Sequence, residues 1–139
     1  MVIIGALAAV SAPLFFSKDT FEQRGFYDEL LSAARYAQKL AVGSCSPVRL
    51  NVTASGYSLF RAASAGSCDN PCTVAATPQP LADPGNPAVN FVRTAPAGVA
   101  LTAADVVFCP SGAANASATI GVGSRQLRIW ADTGYVQRL

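Results

Sequence analysis

Four cysteines, Cys45, Cys68, Cys72 and Cys109, are the residues whose chemistry is easiest to name. An even count fits two disulfides, and four cysteines allow three connectivities. A four-thiolate zinc site is the competing use. It normally draws on two close pairs, whereas only Cys68 and Cys72 are close here, and they read CxxxC rather than CxxC. The same spacing argues against a redox motif. The chain has no histidine, which removes His-based triads, His acid–base chemistry and His-ligated metals together. Asp28, Glu29, Asp105 and Asp132 show no spacing typical of paired catalytic carboxylates. Gly121-Val122-Gly123 sits within a hairpin pattern rather than ahead of a helix, so it does not read as a phosphate loop. These residues call for no catalytic site, no metal and no cofactor. Asn51-Val52-Thr53 and Asn115-Ala116-Ser117 fit the glycosylation triplet, which is common by chance.

The elements that must position the cysteines come from composition and pattern. The 139 residues fit one domain. Charged residues make up 13%, about half the share in an average soluble domain, and hydrophobic residues 51%. Mean hydropathy is +0.33. Such a chain folds, because low hydrophobicity with high charge is what keeps chains disordered. A net charge of +2 does not by itself point to nucleic acid.

Residues 1–16 carry no charge, and Lys18 is the first charged residue. A bilayer span needs about 20 apolar residues, so the run is slightly short. It reads as a signal peptide cut near Val10-Ser11-Ala12, as a buried core helix, or as the end of a membrane helix that begins upstream. The sequence that follows favours the last. From Phe15 to Leu40 the helical pattern continues, with Phe26, Leu30, Ala34, Ala37 and Leu40-Ala41 forming one apolar stripe. Pro13 predicts a kink, Gly25 a weak point and Gly43 a stop. The result is one helix of about 40 residues, roughly 60 Å long, apolar first and amphipathic later. A compact domain of this size cannot cover all of it, so the apolar half needs lipid or copies of itself.

The remainder reads as strands. Val48, Leu50 and Val52 alternate with Arg49, Asn51 and Thr53; Ala54-Ser55-Gly56 turns; Tyr57 to Arg61 returns. Residues 62–90, with Pro71, Pro78, Pro80, Pro84 and Pro87, read as a long surface loop with a short strand near Val74. Short strands are predicted at Val89–Arg93, Val99–Thr102 and Val106–Cys109. A second hairpin joins Ala118–Val122 to Arg125–Trp130 through Gly123-Ser124, before a last strand at Tyr135–Gln137. The first hairpin bears on the cysteines. If Val52 lies opposite Tyr57 or Ser58, Cys45 lies opposite about residue 65, which favours Cys45–Cys68 with Cys72–Cys109. The alternative is Cys68–Cys72 with Cys45–Cys109.

VIIGALAAVSAP near the N-terminus resembles the first helix of type IV pilins and pseudopilins, with Gly5 and Pro13 matching the glycine and proline of that helix. GFYDELLSAARYAQKLAV, CSPVRLNVTASGYSL and SRQLRIWADTGYV resemble the GspH/FimT group of minor pseudopilins, and within it the minor subunits of the mannose-sensitive haemagglutinin (MSHA) pilus. Residues 62–88 match nothing in that group. The Phe-Thr-Leu-Ile-Glu-Leu-like stretch that opens the family's mature chains is absent, which implies an N-terminally truncated sequence.

The resemblance implies an α+β, type IV pilin-like fold: a helix over 1–43, of which residues 1–16 serve membrane and filament core, and an antiparallel β head over 44–139. It implies a structural subunit of a type IV pilus-like or type II secretion filament, and no enzyme. Ile3, Ile4, Gly5, Leu7, Val10 and Pro13 would pack with other pilin subunits. Before assembly the helix would sit in the bacterial inner membrane with the head in the periplasm; afterwards the chain would lie in a filament or at the cell surface. An oxidising compartment suits two disulfides. Some FimT-type relatives capture DNA through a C-terminal GRxR motif, which makes a DNA-binding minor pilin the alternative; a secreted binding protein with a signal peptide is a third. The nearest match here is Gly123-Ser124-Arg125-Gln126-Leu127-Arg128. Arg125 and Arg128 are three apart and so fall on opposite faces of a strand, whereas Trp130 shares the face of Arg128 and could stack on a base. DNA binding is therefore expected to be weak or absent.

Overall fold

The computed structural model describes residues 2–62, 68–69, 72 and 78–139, with the backbone alone for residues 2–17. One helix, α1, runs from Val2 to Ser44, and neither Pro13 nor Gly25 divides it. Residues 18–22 are all exposed, more than a full turn. Among the described residues the first hydrogen bond from the helix to the head is that of Gln23, and from Phe26 the helix is built into the core. The side chains of Ile3, Ile4, Gly5, Leu7, Val10 and Pro13, expected in a filament core or membrane, lie outside the described residues. Among the described residues no helix is long and apolar enough to cross a membrane. The expected transmembrane helix is therefore not found there.

The helix ends at Ser44, one residue beyond Gly43. Cys45 takes a left-handed conformation (φ 50°), its N–H donates to the Val42 carbonyl, and the Ser46 N–H donates to Ala41. This is the Schellman arrangement, with cysteine where glycine is usual.

Among the described residues ten strands follow, all paired antiparallel. β1 (Val48–Thr53) pairs β2 (Gly56–Arg61) with Val52 opposite Tyr57, and β7 (Ala104–Phe108) with Leu50 opposite Val106. β3 (Gln79–Pro80) and β6 (Val92–Thr94) share the other edge of β2, completing a five-stranded sheet. β4 (Ala82–Asp83) and β5 (Asn86–Asn90) form a small hairpin. β8 (Ala118–Val122), β9 (Arg125–Ile129) and β10 (Val136–Arg138) form a separate three-stranded sheet.

Two expectations are corrected. Residues 62–90 are not one loop, since β3, β4 and β5 lie within them; the expected strand near Val74 lies outside the described residues. Val99–Thr102 makes only a bridge, Leu101 to Val122, which links the three-stranded sheet to the segment leading into β7.

The core lies between the helix and both sheets. Leu30, Ala34, Ala37 and Ala41 are fully buried, as the stripe predicts, while Leu40 is only half-buried. Tyr27, Leu31 and Ala33 are buried as well. A single stripe accounts for one sheet; the second sheet covers a wider arc of the helix. Facing them are Val48, Leu50, Val106 and Phe108 from one sheet and Ile120, Leu127, Ile129 and Val136 from the other. Burying each Leu or Ile stabilises the fold by about 1.5–3 kcal/mol. The helix residues 26–41 thus belong to the same core as the strands.

Candidate functional site

The four cysteines gather where α1 ends. Cys45 is bonded to Cys68 and Cys72 to Cys109, with Cα–Cα separations of 4.4 and 4.8 Å. With Val48 opposite Arg61 and Phe108, the β1 register brings both the end of β2 and the end of β7 to this pole. The cysteines are spent on these bonds, and no other group of metal-ligating residues occurs among the described residues.

Helix and head are stitched by two glutamines. Gln23 Nε2 donates to the Val122 carbonyl (2.9 Å) and to Ser124 Oγ (3.2 Å) at the β8–β9 turn. Gln38 Nε2 donates to the carbonyls of Gly112 (2.8 Å) and Thr133 (2.9 Å). They are fifteen positions apart, nearly a whole number of helical turns, so both fall on the side that faces these loops. The sequence pattern marks them only as polar residues on an otherwise apolar side.

A third link is ionic. Arg93 donates through Nε to Glu29 of the helix (2.6 Å) and through Nη1 to Asp83 of β4 (2.7 Å), and its guanidinium lies 4.8 Å from the centre of the Phe91 ring. Arg93 and the Gly85 N–H hold the Asp83 carboxyl below its ordinary range. Beside them the Tyr57 ring packs against Phe26 and Phe91 at 5.7 and 6.3 Å. Its hydroxyl is buried and, among the described residues, has no hydrogen bond of ordinary geometry. Burial, then the nearby Glu29 carboxylate, raises the Tyr57 phenol above its usual value.

The C-terminal arginines separate as strand alternation requires. On β9, Leu127 and Ile129 are buried against the core, and Arg125 shares their face, its guanidinium 5.8 Å from the Tyr27 ring centre. Arg128 points to the outer face and stacks over Trp130 at 4.0 Å, while the Trp130 Nε1–H donates to Gln137 Oε1 (3.1 Å). Arg125 and the Arg128–Trp130 pair are thus not brought together. Arg138 is tied to Asp28 (3.0 Å) and Arg49 to Asp105.

The glycosylation triplets have structural uses. Asn51 is mid-strand, opposite Ser58 and Asp105. Asn115 Oδ1 accepts the Val107 N–H (2.8 Å), and Ser117 Oγ accepts the Ala131 N–H (2.9 Å).

No family model matches the chain, and no curated protein matches it. Among solved structures it is similar to the type IV minor pilin FimU of Pseudomonas aeruginosa strain PAO1. The two share 14% identity at a TM-score of 0.54, over 84% of this chain and 91% of that one. The likeness fits an unbroken helix whose residues 26–41 are embedded in an antiparallel β head, and the chain has the type IV pilin fold.

Proposed function

We propose that the chain is a minor pilin or pseudopilin, a structural subunit of a type IV pilus-like or type II secretion filament. Within that class the sequence resemblance favours the GspH/FimT group and, inside it, the minor subunits of MSHA pili. One observation carries the reading: a single helix joins a stretch buried in the head to a run, residues 1–16, that carries no charge. The first stretch fixes the helix rigidly to the head. The second offers apolar surface for the helices of neighbouring subunits, and for the inner membrane before assembly. The likeness to a minor pilin supports this reading. The work of the chain is then assembly rather than catalysis, with the head in the periplasm and later outside. DNA capture through the C-terminal arginines is the weaker reading, because Arg125 packs on Tyr27 and Arg128 on the opposite face.

Fractionation of cells carrying the full chain together with a type IV assembly machine tests the proposal. The chain is expected in the inner membrane and in sheared surface filaments. Recovery only as free periplasmic or secreted protein, absent from both fractions, would overturn it.

A further inference from the structure

The outer face of the three-stranded sheet carries Arg128, Trp130, Tyr135, Gln137 and Leu139 side by side. Trp130, Tyr135 and Leu139 are 39%, 57% and 59% exposed. Arg128 is stacked on the indole and, among the described residues, forms no ion pair, whereas Arg49, Arg93 and Arg138 all hold carboxylates. No acidic side chain lies on β8, β9 or β10. The face therefore presents one guanidinium that forms no ion pair among the described residues, between apolar and aromatic surfaces. Trp, Tyr and Arg are the residues that carry most binding energy at protein interfaces. A guanidinium already held over a ring loses little freedom when it binds, and its edge offers two parallel N–H donors, the spacing of a carboxylate.

We propose that this face docks a protein segment presenting a carboxylate beside an apolar side chain. The carboxylate would sit on the free edge of Arg128, and the apolar group against Trp130 and Tyr135. A nucleic-acid strand fits less well. Affinity for a phosphate backbone grows with the number of phosphates neutralised, and this face supplies one cation. The inference does not depend on filament assembly, since it concerns the head alone.

Trp130 is the only tryptophan in the sequence, so intrinsic fluorescence reports on this face. The full chain, held in non-ionic detergent, is titrated with a short peptide alternating glutamate and leucine, with its lysine–leucine counterpart, and with oligothymidylate. Saturable change is expected with the glutamate peptide alone. Arg128→Gln should weaken it by roughly ten-fold or more, as expected for loss of a charge-assisted pair. Tyr135→Ala should weaken it too, and Arg125→Gln, on the other face, should leave it unchanged. Circular dichroism checks that each variant is folded. No response to the glutamate peptide, or equal weakening by Arg125→Gln and Arg128→Gln, overturns the proposal. Tighter binding of oligothymidylate than of the peptide assigns the face to nucleic acid instead and also overturns it.

Discussion

Gln38 donates through Nε2 to the carbonyl of Gly112 at 2.8 Å, across a chain separation of 74 residues. The same nitrogen reaches Thr133, so one helical side chain closes two loops from different regions of the head. Gly134 makes this approach feasible. It takes a left-handed conformation (φ 65°), and a Cβ there would overlap the Gly112 carbonyl and crowd Gln38.

Gly134→Ala should therefore destabilise the head by about 2–3 kcal/mol, from backbone strain plus the overlap. Gly98→Ala is the control: its φ is also positive (82°), but nothing lies within 4 Å of the added Cβ. It should cost only the strain, about 1 kcal/mol. Urea unfolding of the two variants checks the difference. Equal losses would mean that the contact with Gln38 and Gly112 contributes nothing.

Tyr57→Phe should leave stability unchanged or raise it. A buried hydroxyl with no partner costs roughly 1–3 kcal/mol in lost hydration, and phenylalanine keeps the ring that packs on Phe26 and Phe91. A thermal midpoint clearly below that of the parent would show instead that the hydroxyl bonds the Glu29 carboxylate.

Period and turn chemistry made much of this fold legible. The alternation of Val48, Leu50 and Val52 gave β1, and the Gly123-Ser124 turn located the β8–β9 hairpin. The three-residue spacing of Arg125 and Arg128 placed them on opposite faces. What the pattern missed is tertiary. β3 and β4 are two residues long, too short to show alternation, and exist because β2 and β5 pair with them. Arg93 reads as one more strand arginine, yet it bridges Glu29 and Asp83, which are far from each other in sequence. The helix stop fell at Cys45 rather than Gly43, because the backbone there turns left-handed at a residue also bonded to Cys68.

The Arg93–Asp83 pair predicts how stability responds to acid. A carboxyl whose folded value lies below its unfolded one stabilises the fold above the unfolded value, near pH 4, and that contribution is lost as pH falls through the lower folded value. Asp83→Asn should remove this share of the dependence. Unfolding free energy measured between neutral pH and strong acid should then fall less steeply in the variant below about pH 4. Parallel curves would show that other carboxyls account for the acid loss.

The disulfides close spans of 23 and 37 residues. In the chain-entropy account each such loop contributes about 3–4 kcal/mol. Peptide mapping of oxidised protein should recover Cys45 with Cys68 and Cys72 with Cys109, and no free thiol. Reduction should lower the unfolding midpoint sharply. Recovery of a Cys68–Cys72 peptide would contradict the pairing.

Removal of the free stem should separate solubility from folding. Residues 18–22 are exposed, and among the described residues the first hydrogen bonds from the helix to the head are those of Gln23. A chain that begins at Thr20 keeps Gln23, the buried stretch from Phe26 to Ala41 and both disulfides, so it should fold with the stability of the full chain. It should also remain in solution without detergent, since the uncharged run of residues 1–16 is gone. Leu30→Ala in the same shortened chain should cost about 2–5 kcal/mol, because Leu30 is fully buried between the helix and the sheets. Sedimentation and urea unfolding measure the two properties separately. If the shortened chain aggregates while the full chain stays soluble without detergent, the apolar run packs against the head, and the division of the helix into a free and an embedded half is wrong.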